Sequence, residues 1–213
     1  ELDDLIAMNA LYRPGPMQFI PEYIDRKHWR EAVEYPHPDL EELLKPTYGI
    51  MIYQEQIMKA AQKIANYSLG EADLLRRAMG KKKKKVMDEQ REIFTKRAIK
   101  NGVSEEKAEE LFDIMAEFAN YGFNKSHSAA YSVVAYQTAF FKANYPAEYM
   151  AAVLSHNMGD IDKVSKFIEE CNCMDITVDP PNINSGQGIF VAVDDRIQYG
   201  MEAYTVVVSY VVK

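Results

Sequence analysis

Cysteine and tryptophan are nearly missing: Cys171, Cys173 and Trp29 are all that 213 residues contain of the two types. A single C-x-C pair supports neither a disulfide framework nor a four-ligand zinc site, and a reducing cytoplasm is the simplest setting. No apolar run approaches the ~18 residues that a membrane span needs. No charged-then-apolar leader opens the chain either, so no membrane partner is expected. The first residue is Glu1, and ELDDLIAMNALY is already helix-like, so the chain is expected to begin inside a longer protein. Metal-binding patterns are scarce as well. Asp160 and Asp162 are two apart on an expected helix and so face different ways. Asp3-Asp4 and Asp194-Asp195 read as a helix first turn and a turn between strands, and nothing builds a two-metal site.

What is present is charge, unevenly spread. The chain is 47% hydrophobic and 27% charged with a net charge of −7, ordinary for a globular protein with a real core. Residues 1–70 carry 7 Lys+Arg against 11 Asp+Glu, residues 71–100 carry 11 against 5, and residues 101–213 carry 7 against 16. One cationic stretch, YSLGEADLLRRAMGKKKKK from Tyr67 to Lys85, thus stands in an acidic background. Such a background repels polyphosphate at long range, so the stretch points to selective anion capture rather than general adhesion to nucleic acid.

Periodicity predicts a mainly helical protein. Residues 3–11 read as a helix with Leu5, Met8 and Leu11 on one face, ended by Tyr12-Arg13-Pro14-Gly15-Pro16. Residues 17–31 and Pro36–Lys45 read as further helices. Ile50, Ile57, Ala61 and Ile64 form a core-facing stripe. Ser68 with Glu71 has the spacing of a capping box, which starts a helix near Leu69 and carries it to Gly80. Val86–Lys100 is helical in composition, and Ser104 opens a helix with the stripe Ala108, Leu111, Phe112, Met115 and Phe118. From Asn124, Ser126 or Ser128 a helix continues as AAYSVVAYQTAFFKANY; its apolar residues on nearly all sides predict a central buried helix. Pro146 and Asp160 start two more, the second with the stripe Ile161, Val164, Ile168 and Cys171. After Asp175, Pro180-Pro181 and Asn182–Gly188 form a linker, and 189–193 and 197–201 are two short β-like runs. The expected organisation is a helical domain over residues 1–175, then a linker and small β lobe over 176–213.

Two groups of side chains are candidates for anion binding. Arg76 and Arg77 with Lys81 offer forked donors suited to phosphate oxygens; the same spacing also suits ordinary ion pairs with Asp73, and the lysine run suits a solvated helix start. Lys125, Ser126 and His127 lie where a helix begins, and free amide donors there favour anions. His127 suits a structural role equally, and Ser126 beside it lacks the acid that a nucleophile needs, so no catalytic residue is assigned. Arg13 is compatible with a rigid turn or with a ligand-facing cation.

LYRPGPM at 11–17, YIDRKH at 23–28, PTYGIMIYQEQIM at 46–58, YSLGEADLLRRAMGKKK at 67–83, YGFNKSHSAAYSVVAYQT at 121–138, YPAEYMAAVL at 145–154 and PNINSG at 181–186 resemble, in order, bacterial DNA polymerase III alpha subunits, the C-family replicative polymerases. The resemblance covers about 190 residues. It implies a fragment of the fingers domain, inert alone, with the catalytic palm and its magnesium-binding aspartates upstream. It nominates Arg76, Arg77 and Lys81, then Lys125, Ser126 and His127, and also Arg13, as residues around the triphosphate of an incoming dNTP. It implies as further partners primer-template DNA, other domains of the parent, and a sliding clamp and replisome subunits reached through parts of the parent absent here. The sequence departs from the family at Lys84-Lys85-Val86-Met87-Asp88, where relatives have a proline and acids, and after Met201, where the family continues with an AIKGVG-like stretch. Residues 202–213 therefore stand outside the inference. Two other readings share these features: a helical module gripping nucleic-acid backbone without a nucleotide pocket, and a lesion-tolerant C-family paralogue.

Overall fold

The computed structural model describes residues 1–81 and 84–204, without the side chains of 81–84. The side chain of Lys81 and most of the expected lysine site, as well as residues 205–213, therefore lie outside the described residues. The chain divides into two compact units, Glu1–Val133 and Val134–Lys213. Ten α-helices and one two-stranded antiparallel sheet are described, so the protein is mainly helical with a small β element near its C-terminal end.

In the first unit α1 is Leu2–Leu11, α2 Ile20–Lys27, α3 Glu41–Leu44, α4 Gln54–Ala65, α5 Leu69–Lys81, α6 Lys84–Lys100 and α7 Glu105–Ala119; α8, Lys125–Asn144, contains the division between units. Short 3-10 turns at Pro16–Phe19, Pro38–Leu40 and Lys45–Thr47 take the place of longer helical stretches. Prolines explain this: each removes an amide donor and limits the residue before it. Helices α4 to α7 enclose one core containing Ile57, Ile64, Leu75, Phe94, Phe112 and Met115. The expected stripes of α4 and α7 are buried, with Phe118 only partly so. Ile50 is also buried, but it lies in an extended segment that precedes α4.

The capping box forms as expected. The Ser68 amide donates to Glu71 Oε2 at 2.8 Å and the Glu71 amide to Ser68 Oγ at 3.3 Å. Gly80 does not end the helix, which reaches Lys81; glycine permits a stop without enforcing one. α1 buries Ile6, Ala7, Ala10 and Leu11 rather than the Leu5 and Met8 face.

The expectation of a central, buried helix at α8 is overturned. Its buried residues are Ser128 and Ser132, while Tyr131, Val134, Tyr136, Phe140 and Phe141 are exposed. A helix apolar all round can still present only one face to α1, and the face presented is the small, hydroxyl-bearing one. Ser128 Oγ donates to the Ile6 carbonyl at 2.6 Å, and Asn9 Nδ2 donates to Ser132 Oγ at 2.8 Å. Close backbone approach wins over burial of the aromatics.

In the second unit α9 (Pro146–His156) and α10 (Ile161–Cys173) share a core with β1 (Val191–Val193) and β2 (Arg196–Gln198), through Met150, Leu154, Val164, Phe190 and Ile197. Val193 pairs with Arg196, so Asp194-Asp195 is a two-residue hairpin loop. Both aspartates have positive φ, 48° and 61°, which a primed turn requires and which aspartate tolerates. No helix among the described residues is long and apolar enough to cross a membrane.

Phe112 is fully buried, its ring 5.6 Å from that of Phe94. Phe112→Ala is expected to lower unfolding free energy by about 3–5 kcal/mol. Trp29, 88% exposed, is the control, its alanine variant staying within about 0.5 kcal/mol of the parent. Urea titration of both variants checks the pair.

Candidate functional site

Everything around the candidate residues hangs on the start of α4. The segment before it runs extended, and Tyr53 bridges Phe123, two residues before α8 begins at Lys125. Two main-chain hydrogen bonds make the bridge: Gln54 N to Phe123 O at 2.9 Å and Phe123 N to Ile52 O at 3.1 Å. Gln56 holds the extended segment in shape from inside. Its Oε1 accepts from the amides of Ile52 at 2.9 Å and Tyr53 at 3.0 Å, and its Nε2 donates to Thr47 Oγ1 at 2.7 Å. Gln56 is buried, and a buried amide so fully satisfied rigidifies its surroundings.

The three carbonyls of Tyr121, Gly122 and Phe123 each accept a different donor. Arg13 Nη2 donates to Tyr121 O at 2.7 Å, Gln54 Nε2 to Gly122 O at 3.1 Å, and the Gln54 amide to Phe123 O. Arg13 also donates through Nε to Ala10 O at 2.8 Å and lies 4.5 Å over the Phe123 ring. Its counterparts are thus carbonyls and an aromatic face, and burial pushes its pKa down. Gly15, two residues on, has φ of +100°, and a Cβ there would meet the Tyr121 ring at 2.6 Å; glycine is what lets the turn close on Tyr121.

Arg76 reaches the same frame through Gln54: its Nη1 donates to Gln54 Oε1 at 3.2 Å. Its Nε and Nη2 donate to Asp73 Oδ1 at 3.0 and 2.7 Å. Arg77 Nη2 lies 2.8 Å from the other oxygen, Asp73 Oδ2. The ion pairs that the spacing allowed are therefore present, and one carboxylate serves two guanidinium groups. Arg76 holds Asp73 below the ordinary carboxylate range. Arg77 remains 61% exposed.

At the start of α8 the anion is the protein's own. Glu55 accepts from the Lys125 amide at 3.0 and 3.2 Å and from Asn124 Nδ2 at 2.8 Å. Among the possible caps Asn124 is used, its Oδ1 accepting from the His127 amide at 2.8 Å. Lys125 Nζ lies 5.3 Å over the Tyr53 ring. His127 sits between two rings, with centroids 5.6 Å from Phe123 and 4.7 Å from Tyr131, and Ser126 is exposed in the first turn. A cavity of about 330 Å³ opens beside Lys125, lined also by Tyr53, Glu55, Lys59 and Lys63.

The structure thus brings Arg13, Arg76 and Lys125 onto one frame and attaches Arg77 to it through Asp73. Gln54, Glu55 and Gly122 escaped the sequence reading as members of the site. The one signal for Gln54 and Glu55 was the run of four polar residues, Tyr53 to Gln56, and nothing marked Gly122. Among the described residues no group of three or more His, Cys, Asp or Glu is placed to hold a metal ion.

The helix that carries Arg76 and Arg77 is anchored at its other end by Arg97, whose Nη2 donates to Glu71 Oε1 at 2.8 Å. Arg97, with help from Ser68, lowers the Glu71 pKa from 4.5 to about 2. A carboxylate depressed in the folded state contributes stability that is complete above its unfolded pKa and fades as pH falls toward 2. An NMR titration of the Glu71 carboxyl is expected to give a pKa near 2, moving back toward 4.5 in Arg97→Met; an unchanged pKa in that variant contradicts the assignment.

Residues 1–102 match the family model described as the bacterial DNA polymerase III alpha subunit finger domain. Over 201 residues the chain is 54% identical to the DNA polymerase III subunit alpha of Chlamydia pneumoniae, covering 94% of this chain and 16% of that protein. The relative from Borreliella burgdorferi is 52% identical over 200 residues, covering 94% and 17%. That from Vibrio cholerae is 53% identical over 210 residues, covering 94% and 18%. The chain therefore spans less than a fifth of the length of these relatives. The likeness runs through both units: along 94% of its length the chain is similar to bacterial DNA polymerase III alpha subunits, with its finger-domain match at residues 1–102.

Proposed function

We propose that the chain is the nucleotide-gripping part of a DNA-directed DNA polymerase, and that Arg76 and Arg77, with Arg13, Lys125, Ser126 and His127 around them, hold the triphosphate of an incoming dNTP. Lys81 belongs to the same proposal on sequence grounds. The observation that carries it is the sharing of Asp73 by two guanidinium groups. Each guanidinium has five N–H donors, and one carboxylate leaves most of them, and a net positive charge, to an arriving polyphosphate. The frame at Tyr121–Phe123 is the reason those donors stand ready. It fixes Arg13 directly and Arg76 through Gln54 before any ligand comes.

In this reading the fingers position the nucleotide and offset negative charge that develops on the leaving pyrophosphate. Magnesium is implied by the family. Asp73 and Glu55, the acids near the site, do not fit it, being engaged by arginines and by the α8 amide end, and this reading assigns its ligands to the parent outside this chain. Primer-template DNA, the other domains of the parent, a sliding clamp and further replisome subunits are the partners this reading implies, and the cytoplasm is its compartment.

In the full-length polymerase, Arg76→Ala with Arg77→Ala is expected to lower kcat/KM for dNTP by roughly 100-fold, raising KM and lowering kcat together. Primer-template affinity is expected to stay nearly unchanged. Unchanged nucleotide kinetics, or a loss confined to DNA affinity with a steep salt dependence, would favour the backbone-binding module instead.

A further inference from the structure

We infer that Gln54 is a positioning residue for Arg76, setting the guanidinium by a hydrogen bond whose direction the Gly122 carbonyl dictates. The inference rests on the proposal that Arg76 is a phosphate ligand. Its basis is the polarity of the two ends of one amide. Gly122 O can only accept, so the amide end that faces it, 3.1 Å away, must be the NH₂. Arg76 Nη1 can only donate, so the end that faces it at 3.2 Å must be the oxygen. An amide turned over would set N–H against N–H and oxygen against oxygen. The side chain therefore has one stable orientation, and the orientation of Arg76 follows from it.

The backbone fixes the same residue a third time, through the Gln54 amide to Phe123 O at 2.9 Å. Gly122 closes the arrangement from the other side. A Cβ at that position would stand 3.2 Å from Gln54 Cγ and 3.3 Å from Ile57 Cδ1, so any larger residue shifts Gln54 by a few tenths of an ångström. Asp73 alone would not set Arg76 in this way. It is three residues earlier on the same helix, partly exposed, and shared with Arg77, so it neutralises without tying Arg76 to α4 and the Tyr121–Phe123 segment. Gln54 attaches the arginine to a different element without spending its charge. A neutral acceptor is what such a task requires, since a carboxylate there would compete with the incoming phosphates.

The test is a double-mutant cycle in the full-length polymerase with primer-template DNA and dNTP, using Gln54→Met and Arg76→Ala. Gln54→Met keeps the length and removes both polar ends. It is expected to raise KM for dNTP about 5- to 30-fold, the equivalent of one or two lost hydrogen bonds, with DNA affinity unchanged. In an Arg76→Ala background the same change is expected to add less than about 2-fold. If Arg76→Ala itself leaves nucleotide kinetics intact, the site proposal falls. If Arg76→Ala impairs nucleotide use while Gln54→Met has no effect, or multiplies the loss in full in the double variant, the positioning role alone is overturned. Should Gln54→Met lower the melting temperature too far for assay, Gly122→Ala displaces Gln54 by a few tenths of an ångström. It must then show the same non-additivity with Arg76→Ala for the role to stand.

Discussion

The reciprocal main-chain pairing of residues 52–54 with Phe123 is the constraint on which the rest of the site depends. It joins segments about 70 residues apart at the starts of two helices, α4 and α8. Helix starts carry unpaired amides, and here they are answered by neighbouring side chains, Gln56 inside and Glu55 outside. The joint then leaves three successive carbonyls to face Arg13 and Gln54. Remove the pairing and both the position of Arg13 and the path from Gly122 to Arg76 disappear together.

The charge arrangement follows a consistent logic. Arg13, half-buried, meets carbonyls and an aromatic face. Arg76 meets one neutral amide and part of one carboxylate, and Arg77 the remainder of that carboxylate. Full pairing with acids would have stabilised the arginines and extinguished the site. The start of α8 is the contrast, because Glu55 already supplies its anion. Glu55 therefore occupies the amide end of α8, while the side chains of Lys125 and His127, which lie against rings, stay outside that pairing.

Much of this was legible in the sequence, and the rest was hidden for identifiable reasons. The helices of the first core, the Ser68–Glu71 box, the caps at Ser104 and Asp160 and the paired β runs all depend on residues within a few positions of one another, so spacing revealed them. The fate of α8 did not depend on local pattern: its apolar circumference predicted burial, whereas the two serines at i and i+4 decide which face α1 meets. Gln54 and Gly122 were invisible as site members because nothing in a polar run at a helix start announces a partner 68 residues away. The family words nominated the candidate residues, and the hydrogen bonds that join Arg13 and Arg76 to the Tyr121–Phe123 segment depend on the fold.

Amide hydrogen exchange at Gln54 and Phe123 in the full-length polymerase, without nucleotide, tests the preformed frame most directly. Because the two amides close one reciprocal pair, the account predicts that both are strongly protected and open together with the same free energy. Exchange of either at the rate of an exposed loop would mean that the frame is assembled only on binding, and would contradict it.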